Sequence, residues 1–300
     1  MNKVSRCGYV AIIGRPNVGK STLLNHILGQ KICITSRKPQ TTRHRILGIK
    51  TEGEIQTVYV DTPGLHQEAK KALNRYMNKA ASAAIHDVDV IVFIVEALKW
   101  QADDEWILQK LKHVQSPVIL VINKVDKIAD KQMLLPFIEE LSNKFKFNYI
   151  LPMSALKNNN VIELENLVNS FLPENPHFFP DDQVTDASER FLASEIIREK
   201  LMRSLGQELP YALTVQIEQF KEEKKMYRIG AIIWVEKLSQ KAIVIGAEGG
   251  VLKKVGTRAR KEMELLFETK IFLQLWVKVK ESWSDSDRAL QSLGYRSESD

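Results

Sequence analysis

Short apolar runs alternate with amphipathic stretches through the first part of the chain. Continuous runs rich in Val and Ile predict buried strands at residues 9–13, 55–60, 88–95 and 118–122. The segments between and after them have helical patterns, at residues 20–28, 69–85, 103–113 and 161–171. Strands that alternate with helices predict an α/β fold with a mixed, mostly parallel sheet and helices on both faces.

The pattern changes after residue 171. Residues 172–186 contain three prolines and three aspartates, which predicts a linker. The elements predicted beyond it are a helix at 190–205, strands at 212–220 and 226–235, a strand-like run at 242–245, a helix at 257–268 and a strand at 271–279. This order indicates a smaller α+β domain. We therefore expect one domain at 1–171, a linker at 172–186 and a second domain at 187–300.

Composition excludes several classes of protein. Of the 300 residues, 44% are hydrophobic and 27% charged, as in an ordinary globular protein. The longest apolar run, residues 88–98, is shorter than the roughly 18 residues that a membrane span needs, and residues 1–10 lack the pattern of a signal peptide. Cys7 and Cys33 are too few for a disulfide framework. We expect a cytoplasmic protein.

A phosphate-binding loop follows the first predicted strand. Residues 14–21 read GRPNVGKS and fit the pattern GxxxxGK[ST] between a strand and a helix. In such loops successive backbone N–H groups and the helix N-terminus surround an anion, while the lysine reaches the terminal phosphates and the hydroxyl binds Mg²⁺. The predicted phosphate-binding residues are Gly14, Asn17, Val18, Gly19, Lys20, Ser21 and Thr22.

Two further motifs specify the nucleotide. Asp61 and Gly64 belong to DTPG at the end of the second predicted strand, where a carboxylate meets hydrated Mg²⁺ and a glycine N–H approaches the γ-phosphate. The motif NKVD follows the fourth strand, and its carboxylate can accept the two N–H groups of guanine. The residues predicted to hold the base are Asn123, Lys124, Asp126, Ser154, Ala155 and Leu156. The predicted ligand is therefore a guanine nucleotide, GTP or GDP.

The polar segment 31–45 is predicted to be a mobile switch loop. Thr42, or its neighbour Thr41, is the candidate to meet Mg²⁺ and the γ-phosphate. The predicted metal ligands are accordingly Ser21, Thr42 and Asp61, and the predicted catalytic residues are Lys20, Thr42 and Gly64.

With these motifs, the chain resembles the translation-factor class of GTPases, and TSRKPQTTRHR together with DTPGLH resembles the Era family. The resemblance spans residues 6–295 and implies a GTPase that uses Mg²⁺ and binds the 3′ end of small-subunit ribosomal RNA in 30S assembly and 16S rRNA maturation. Familiar small GTPases have a water-orienting glutamine after DxxG, where this chain has Leu65. We therefore expect slow intrinsic hydrolysis that a partner accelerates.

The C-terminal domain contains a GxxG loop of the kind that clamps about four single-stranded nucleotides in KH domains. Together with the α+β order, this predicts a type II KH domain in which Ile232, Ile243, Ile245 and Val251 form the groove floor. The predicted RNA-binding residues are Gly246, Ala247, Glu248, Gly249, Gly250, Lys253, Lys254 and Arg258. The loop departs from the usual pattern because Glu248 stands where a basic residue is common, and its charge weakens contact with phosphate.

Charge supports a polyanionic partner. Of the net charge of +6, residues 187–295 carry +4, from 19 basic and 15 acidic residues. The same mild basicity allows weak association with a membrane surface, on the cytoplasmic face of the inner membrane. We expect a monomer.

One alternative stays open at this point, and another is disfavoured. The chain could be an RNA-binding module in which GTP or GDP is a structural or slowly exchanged ligand. A relative with two GTPase domains is disfavoured because the pattern GxxxxGK[ST] occurs once.

Overall fold

A computed structural model describes residues 4–36, 38, 40–65, 67, 71–206 and 209–295. His66, which follows Leu65 in the resemblance, and residues 69–70, where one helix was predicted to begin, lie outside them. The described residues fall into two compact units. The first comprises Asn74–Asp186 with the described residues before 71, and the second begins at Ala187 and takes in Lys71–Leu73.

The first unit is a sheet of six strands with helices between them. Its elements in chain order are β1 (Arg6–Ile13), α1 (Lys20–Leu28), β2 (Ile46–Glu52), β3 (Ile55–Asp61), α2 (Ala72–His86), β4 (Val90–Glu96), α3 (Ala102–Leu111), β5 (Val118–Asn123), α4 (Leu134–Lys144), β6 (Tyr149–Pro152) and α5 (Val161–Phe171). The strand order is β2-β3-β1-β4-β5-β6, and β2 is antiparallel to β3 while the other neighbouring pairs are parallel. The mixed, mostly parallel α/β sheet is thus confirmed.

Parallel strands bring the functional loops to one edge. The central strands β1, β4 and β5 are apolar and buried on both faces, as expected where helices cover a parallel sheet. The loops that follow β1, β3, β5 and β6 all leave the carboxyl ends of parallel strands. In open α/β sheets, ligands bind at this edge.

Residues 172–186, predicted to be a linker, contact the sheet of the first unit. The Phe178 ring stacks on Tyr9, with centroids 5.4 Å apart. Gln56 Oε1 accepts hydrogen bonds from the backbone N–H groups of Phe178 and Phe179, at 2.8 and 2.9 Å. The backbone N–H of Ile49 donates to the carbonyl of Val184 at 2.8 Å. The segment is therefore held against β1, β2 and β3.

The second unit contains one three-stranded sheet. Its elements are α6 (Glu189–Ser204), β7 (Leu213–Glu223), β8 (Met226–Val235), α7 (Leu238–Ile245), α8 (Gly250–Leu266), β9 (Lys270–Val279) and the short α9 (Asp287–Ser292). The strand order is β7-β8-β9, with β7 antiparallel and β9 parallel to β8. Apolar residues of α6, α7 and α8 pack with alternate residues of the strands in one core.

The strand-like run at 242–245 was predicted wrongly, because these residues form the end of α7. The run AIVI is rich in β-branched residues, but the chain upstream of it begins a helix. Gln240 Oε1 accepts hydrogen bonds from the backbone N–H groups of Glu236 and Lys237, at 2.8 and 3.0 Å. This caps the helix N-terminus and outweighs the β propensity of the run.

Candidate functional site

The loop between β1 and α1 has the backbone of a phosphate cradle. Gly14 and Gly19 have φ of 151° and 112°, which favour glycine. A Cβ atom at Gly14 would lie 2.4 Å from the carbonyl oxygen of Ile94, and one at Gly19 would lie 2.3 Å from Asn123 Nδ2. Asn17, with φ of 64°, completes the turn. Both glycines therefore serve close packing as well as the turn.

Lys20 is buried inside this loop. Its ammonium donates hydrogen bonds to the carbonyl oxygens of Gly14 and Arg15, at 2.9 and 3.0 Å. Burial lowers the pKa of Lys20 to about 8, although the nearby Asp61 carboxylate opposes that shift. The loop thus holds the ammonium at the position from which it can reach a bound phosphate.

Ser21, Thr42 and Asp61 come together although they lie in three separate segments. Ser21 Oγ lies 2.7 Å from Asp61 Oδ2 and 2.8 Å from Thr42 Oγ1, and Thr42 Oγ1 donates to Asp61 Oδ2 at 3.3 Å. The neighbouring Thr41 donates its hydroxyl to the carbonyl of Lys38 at 2.7 Å. The structure therefore places Thr42, and not Thr41, beside the other two candidate metal ligands.

This cluster fits a Mg²⁺ ion. Asp61 is fully buried, and its Oδ1 has no hydrogen-bonding partner among the described residues. Burial raises the pKa of Asp61, opposed by Lys20 and by hydrogen bonds from neighbouring side chains. One carboxylate, two hydroxyls and phosphate oxygens make the oxygen-rich ligand set that Mg²⁺ prefers. When bound, the ion neutralises charge that develops on the β- and γ-phosphates.

The segment after Asp61 touches the phosphate loop. A Cβ atom at Gly64 would lie 2.7 Å from the backbone nitrogen of Pro16, so only glycine permits this approach. The backbone N–H of Leu65 donates to the carbonyl of Gly14 at 3.3 Å. The Leu65 side chain is fully buried in the core of the first unit. It is therefore turned into the apolar interior and presents no polar group to an attacking water.

Asn123 joins the predicted base-binding segments to the phosphate loop. Its Nδ2 donates to the carbonyl of Val18 at 2.7 Å, and its Oδ1 accepts from the backbone N–H groups of Lys124 and Ala155, at 2.7 and 2.9 Å. Asp126 is exposed, and its Oδ1 accepts a hydrogen bond of 2.5 Å from Ser154 Oγ. The carboxylate is thus held in place at the surface, where it can accept hydrogen bonds from a guanine edge.

Two predicted residues stand at the margin of the site. Thr22 is half-buried in the first turn of α1. The Leu156 side chain is 65% exposed, which is consistent with a role through its backbone.

Four charged residues near this site were not predicted from the sequence, namely Arg15, Glu96, Lys99 and Asp104. Glu96 Oε2, at the end of β4, accepts from Lys124 Nζ at 2.5 Å, while its Oε1 pairs with Lys99 at 2.6 Å. The Arg15 guanidinium pairs with Asp104 at 3.0 Å and lies 3.8 Å from Glu96. Burial would raise the pKa of Glu96, but its two lysine partners lower it to about 2. The pairs of Glu96 with Lys124 and of Arg15 with Asp104 join residues 28 and 89 positions apart, so no local pattern indicates them.

The GxxG segment connects α7 to α8. Gly246, Glu248 and Gly249 have φ of 74°, 49° and 74°. A Cβ atom at Gly246 would lie 2.5 Å from Val251 Cγ2. Ala247 and Glu248 are exposed, and Gly250 begins α8. The loop therefore presents backbone groups at a helix N-terminus, where an anion is favoured.

Exposed cations follow this loop on α8, namely Lys253, Lys254 and Arg258. The predicted apolar groove floor is only partly assembled. Ile245 and Val251 pack against the core on the helical side of the sheet. Ile243 is 56% exposed, and Ile232 is buried on the opposite side of the sheet from its neighbour Ile233. The inclusion of Ile232 was therefore wrong, because strand residues alternate between faces.

Comparison with known proteins agrees with both units. Residues 9–124 match the family model described as 50S ribosome-binding GTPase, and residues 208–284 match that of the KH domain. GTPase Era of Marinobacter nauticus is 59% identical over 98% of this chain and 96% of its own length. GTPase Era of Pseudomonas fluorescens Pf-5 is 60% identical, with 97% of each chain covered.

Two solved structures extend the likeness to three dimensions. The structure of Era in complex with MgGDPNP and nucleotides 1506–1542 of 16S ribosomal RNA has a TM-score of 0.95 and 41% identity, covering 98% of this chain and all of that one. A single-residue variant of Aquifex aeolicus Era bound to GDP·AlF4⁻ has a TM-score of 0.94 and 41% identity, covering 97% of this chain and all of that one. This chain belongs to the GTPase Era family: it is a P-loop GTPase with a C-terminal KH domain, and it uses Mg²⁺ to hydrolyse GTP to GDP.

Proposed function

We propose that this GTPase couples its nucleotide state to binding of the single-stranded 3′ end of small-subunit ribosomal RNA. The observation that carries the proposal is a GxxG loop that opens α8 beside three exposed cations, on a chain that also holds a guanine-nucleotide site. KH loops of this form clamp the backbone of about four nucleotides. The Era structure with nucleotides 1506–1542 of 16S ribosomal RNA supports the choice of RNA.

The partner implied by that RNA is the 30S subunit, and the role is its assembly and 16S rRNA maturation. The family model that matches the first unit is described as 50S ribosome-binding. Co-sedimentation of the protein with separated 30S and 50S subunits distinguishes these partners. We expect retention by 30S subunits, and retention by 50S subunits alone would contradict the proposal.

The RNA contact is tested by neutralising one cation of α8. Lys254→Gln is expected to weaken binding of the RNA of nucleotides 1506–1542 and to reduce the slope of log affinity against log salt by about 0.7. Lys146→Gln makes the same charge change at an exposed lysine of the first unit and is expected to leave binding unchanged. Equal effects of the two variants would show that only net charge matters.

Hydrolysis by the isolated protein is proposed to be slow. Leu65 supports this, because its side chain is buried and leaves no water-orienting group at the position after DxxG. A single-turnover assay with and without RNA and 30S subunits tests it. We expect acceleration by the partner, whereas fast hydrolysis without any partner would contradict the proposal.

We further propose a cytoplasmic monomer that associates weakly with the cytoplasmic face of the inner membrane. Cys7 and Cys33 form no disulfide, which supports a reducing compartment, and the net charge of +6 supports attraction to anionic headgroups. Among the described residues, no helix is sufficiently long and apolar to cross a membrane. Sedimentation equilibrium tests the monomeric state. Fractionation at low and high salt tests the membrane association, and membrane attachment that resists high salt would contradict weak association.

A further inference from the structure

The outer face of the sheet in the second unit carries exposed aromatic rings. Helices α6, α7 and α8 cover the inner face, where Ile229, Ile233 and Val277 enter the core. Alternate residues therefore point away from the helices. On that outer face Phe272 and Trp276 of β9 are 39% and 43% exposed. Two exposed rings on one face of the sheet offer a flat apolar surface on which a ligand can stack.

Each end of this surface combines a ring with a cation. The guanidinium carbon of Arg228 lies 4.6 Å from the centroid of the Phe272 ring. The Lys278 ammonium lies 5.8 Å from the centroid of the Trp234 ring. We call these four residues with Trp276 the sheet platform. It pairs flat π surfaces for bases with charges for phosphates, which is the combination found in proteins that bind single-stranded nucleic acid.

The rings are held in position before any ligand arrives. Trp234 Nε1 donates a hydrogen bond of 2.9 Å to Gln216 Oε1 on β7. The Trp276 ring lies against Gly230 of β8, where a Cβ atom would come within 3.1 Å of Cζ3. A larger residue at 230 would push the indole away from the strand. Preorganised rings lose little conformational entropy on binding, which favours stacking.

Charge on strands β8 and β9 suits a polyanion such as RNA. Strands β8 and β9 contain Arg228, Lys270 and Lys278 and no acidic residue. Two of these cations pair with carboxylates of β7: Glu223 lies 3.1 Å from Arg228 and Glu218 lies 3.8 Å from Lys278. Such exposed pairs contribute little stability, so a phosphate can replace the carboxylate.

We propose that the sheet platform is a second binding surface for single-stranded RNA. The bases that stack on it lie 5′ or 3′ of the nucleotides held by the GxxG loop. This inference rests on the proposed function, since it assumes that the GxxG loop binds RNA. The two surfaces lie on opposite faces of one thin sheet, and β9 is the edge strand between them. An RNA strand that leaves the helical face can therefore pass around β9 and continue across Phe272 and Trp276.

The test measures affinity for the RNA of nucleotides 1506–1542 by fluorescence anisotropy. Trp276→Leu removes the stacking surface and keeps an apolar side chain, and we expect affinity to fall about tenfold. Trp276→Tyr keeps a ring and is expected to restore most of the affinity. The matched control is Trp106→Leu on α3, where Lys110 also lies over the indole, at 4.4 Å, and no change is expected.

The outcomes separate this inference from the proposed function. If Trp276→Leu binds like the unchanged protein while Lys254→Gln binds more weakly, the platform proposal fails and the proposed function stands. If neither variant weakens binding, both fail. If RNA affinity is unchanged but Trp276→Leu no longer binds 30S subunits, the platform contacts a ribosomal protein and the RNA proposal is overturned.

Photocrosslinking gives a readout that does not depend on any variant folding. The RNA is substituted with 4-thiouridine and irradiated with the unchanged protein, and crosslinked peptides are identified by mass spectrometry. Crosslinks to the outward-facing Phe272, Trp276 or Lys278 as well as to 246–258 support the proposal. Crosslinks confined to 246–258 and to the inward-facing residues of β9 contradict it.

Discussion

At the scale of single residues, Asn123 organises the nucleotide site. Its amide makes three hydrogen bonds that reach the phosphate loop, its own loop and the segment at Ala155. Because Asn123 is buried, loss of these bonds would strand backbone groups without partners, at about 1–3 kcal/mol for each. The motif NKVD was recognisable from the sequence, but the tie to Val18 depends on a contact across 105 positions.

Base specificity is predicted to reside in the Asp126 carboxylate. A carboxylate accepts both N–H groups of guanine, whereas an amide at this position offers one acceptor and one donor. Asp126→Asn is therefore expected to lower GTP affinity by at least about 100-fold and to improve binding of xanthosine triphosphate, which carries a carbonyl in place of the amino group. Competition binding with both nucleotides measures this. Undiminished preference for GTP would show that other groups recognise the base.

A glutamine at position 65 is predicted to damage the fold without aiding catalysis. Leu65 is fully buried in an apolar core, so Leu65→Gln buries an amide and lowers the free energy of unfolding by about 2–4 kcal/mol. Leu135→Gln, at a leucine that is 71% exposed on α4, is the control and should change stability little. Chemical denaturation and single-turnover hydrolysis are the measurements. If Leu65→Gln stays folded and hydrolyses GTP faster than the unchanged protein, residue 65 faces the attacking water and the prediction is wrong.

At the scale of elements, the sequence pattern predicted a helix or strand correctly where the hydrophobic pattern of the segment agrees with its place in the fold. Helices α1 and α5 and strand β8 have the predicted bounds. Strand β2 and helix α4 were not predicted. β2 is an antiparallel edge strand directly after a basic loop, and it gains its partner from β3. β2 forms because it pairs with β3, and it lacks the long apolar run that would have indicated a strand.

The carboxyl end of β4 is held by ion pairs that the pH dependence of stability can reveal. The pKa of Glu96 is lowered from 4.5 to about 2. A lowered pKa stabilises the folded state above the unfolded value, and this contribution is lost as the pH falls through the folded value. Glu96→Gln is therefore expected to cost about 2–3 kcal/mol above pH 5, with the difference shrinking between pH 4.5 and 2.

Denaturation of both proteins across that pH range measures the difference. Glu139→Gln replaces an exposed glutamate of α4 and serves as the control, for which little change in stability is expected. A cost for Glu96→Gln that stays constant down to pH 2 would show that the effect comes from packing rather than from the ion pairs with Lys124 and Lys99.

At the scale of the whole molecule, the two sites reside in two compact units of one chain. The order of the motifs predicts the nucleotide site, and the GxxG loop with the +4 charge of residues 187–295 predicts the RNA site. The sheet platform was not anticipated, because the alternation that exposes Phe272 and Trp276 while burying Ile271 and Val277 becomes visible only when the covered face is known. The net charge of the domain likewise does not show that an acidic residue, Glu248, lies exposed within the GxxG loop.

The central claim is that nucleotide state and RNA binding are coupled. Linkage requires that RNA change the affinity for nucleotide by the factor by which nucleotide changes the affinity for RNA. The most direct measurement is the affinity for the RNA of nucleotides 1506–1542 with GDP and with a non-hydrolysable GTP analogue, at one salt concentration. We expect affinities that differ by about 5-fold or more. Equal affinities in the two nucleotide states would contradict the coupling.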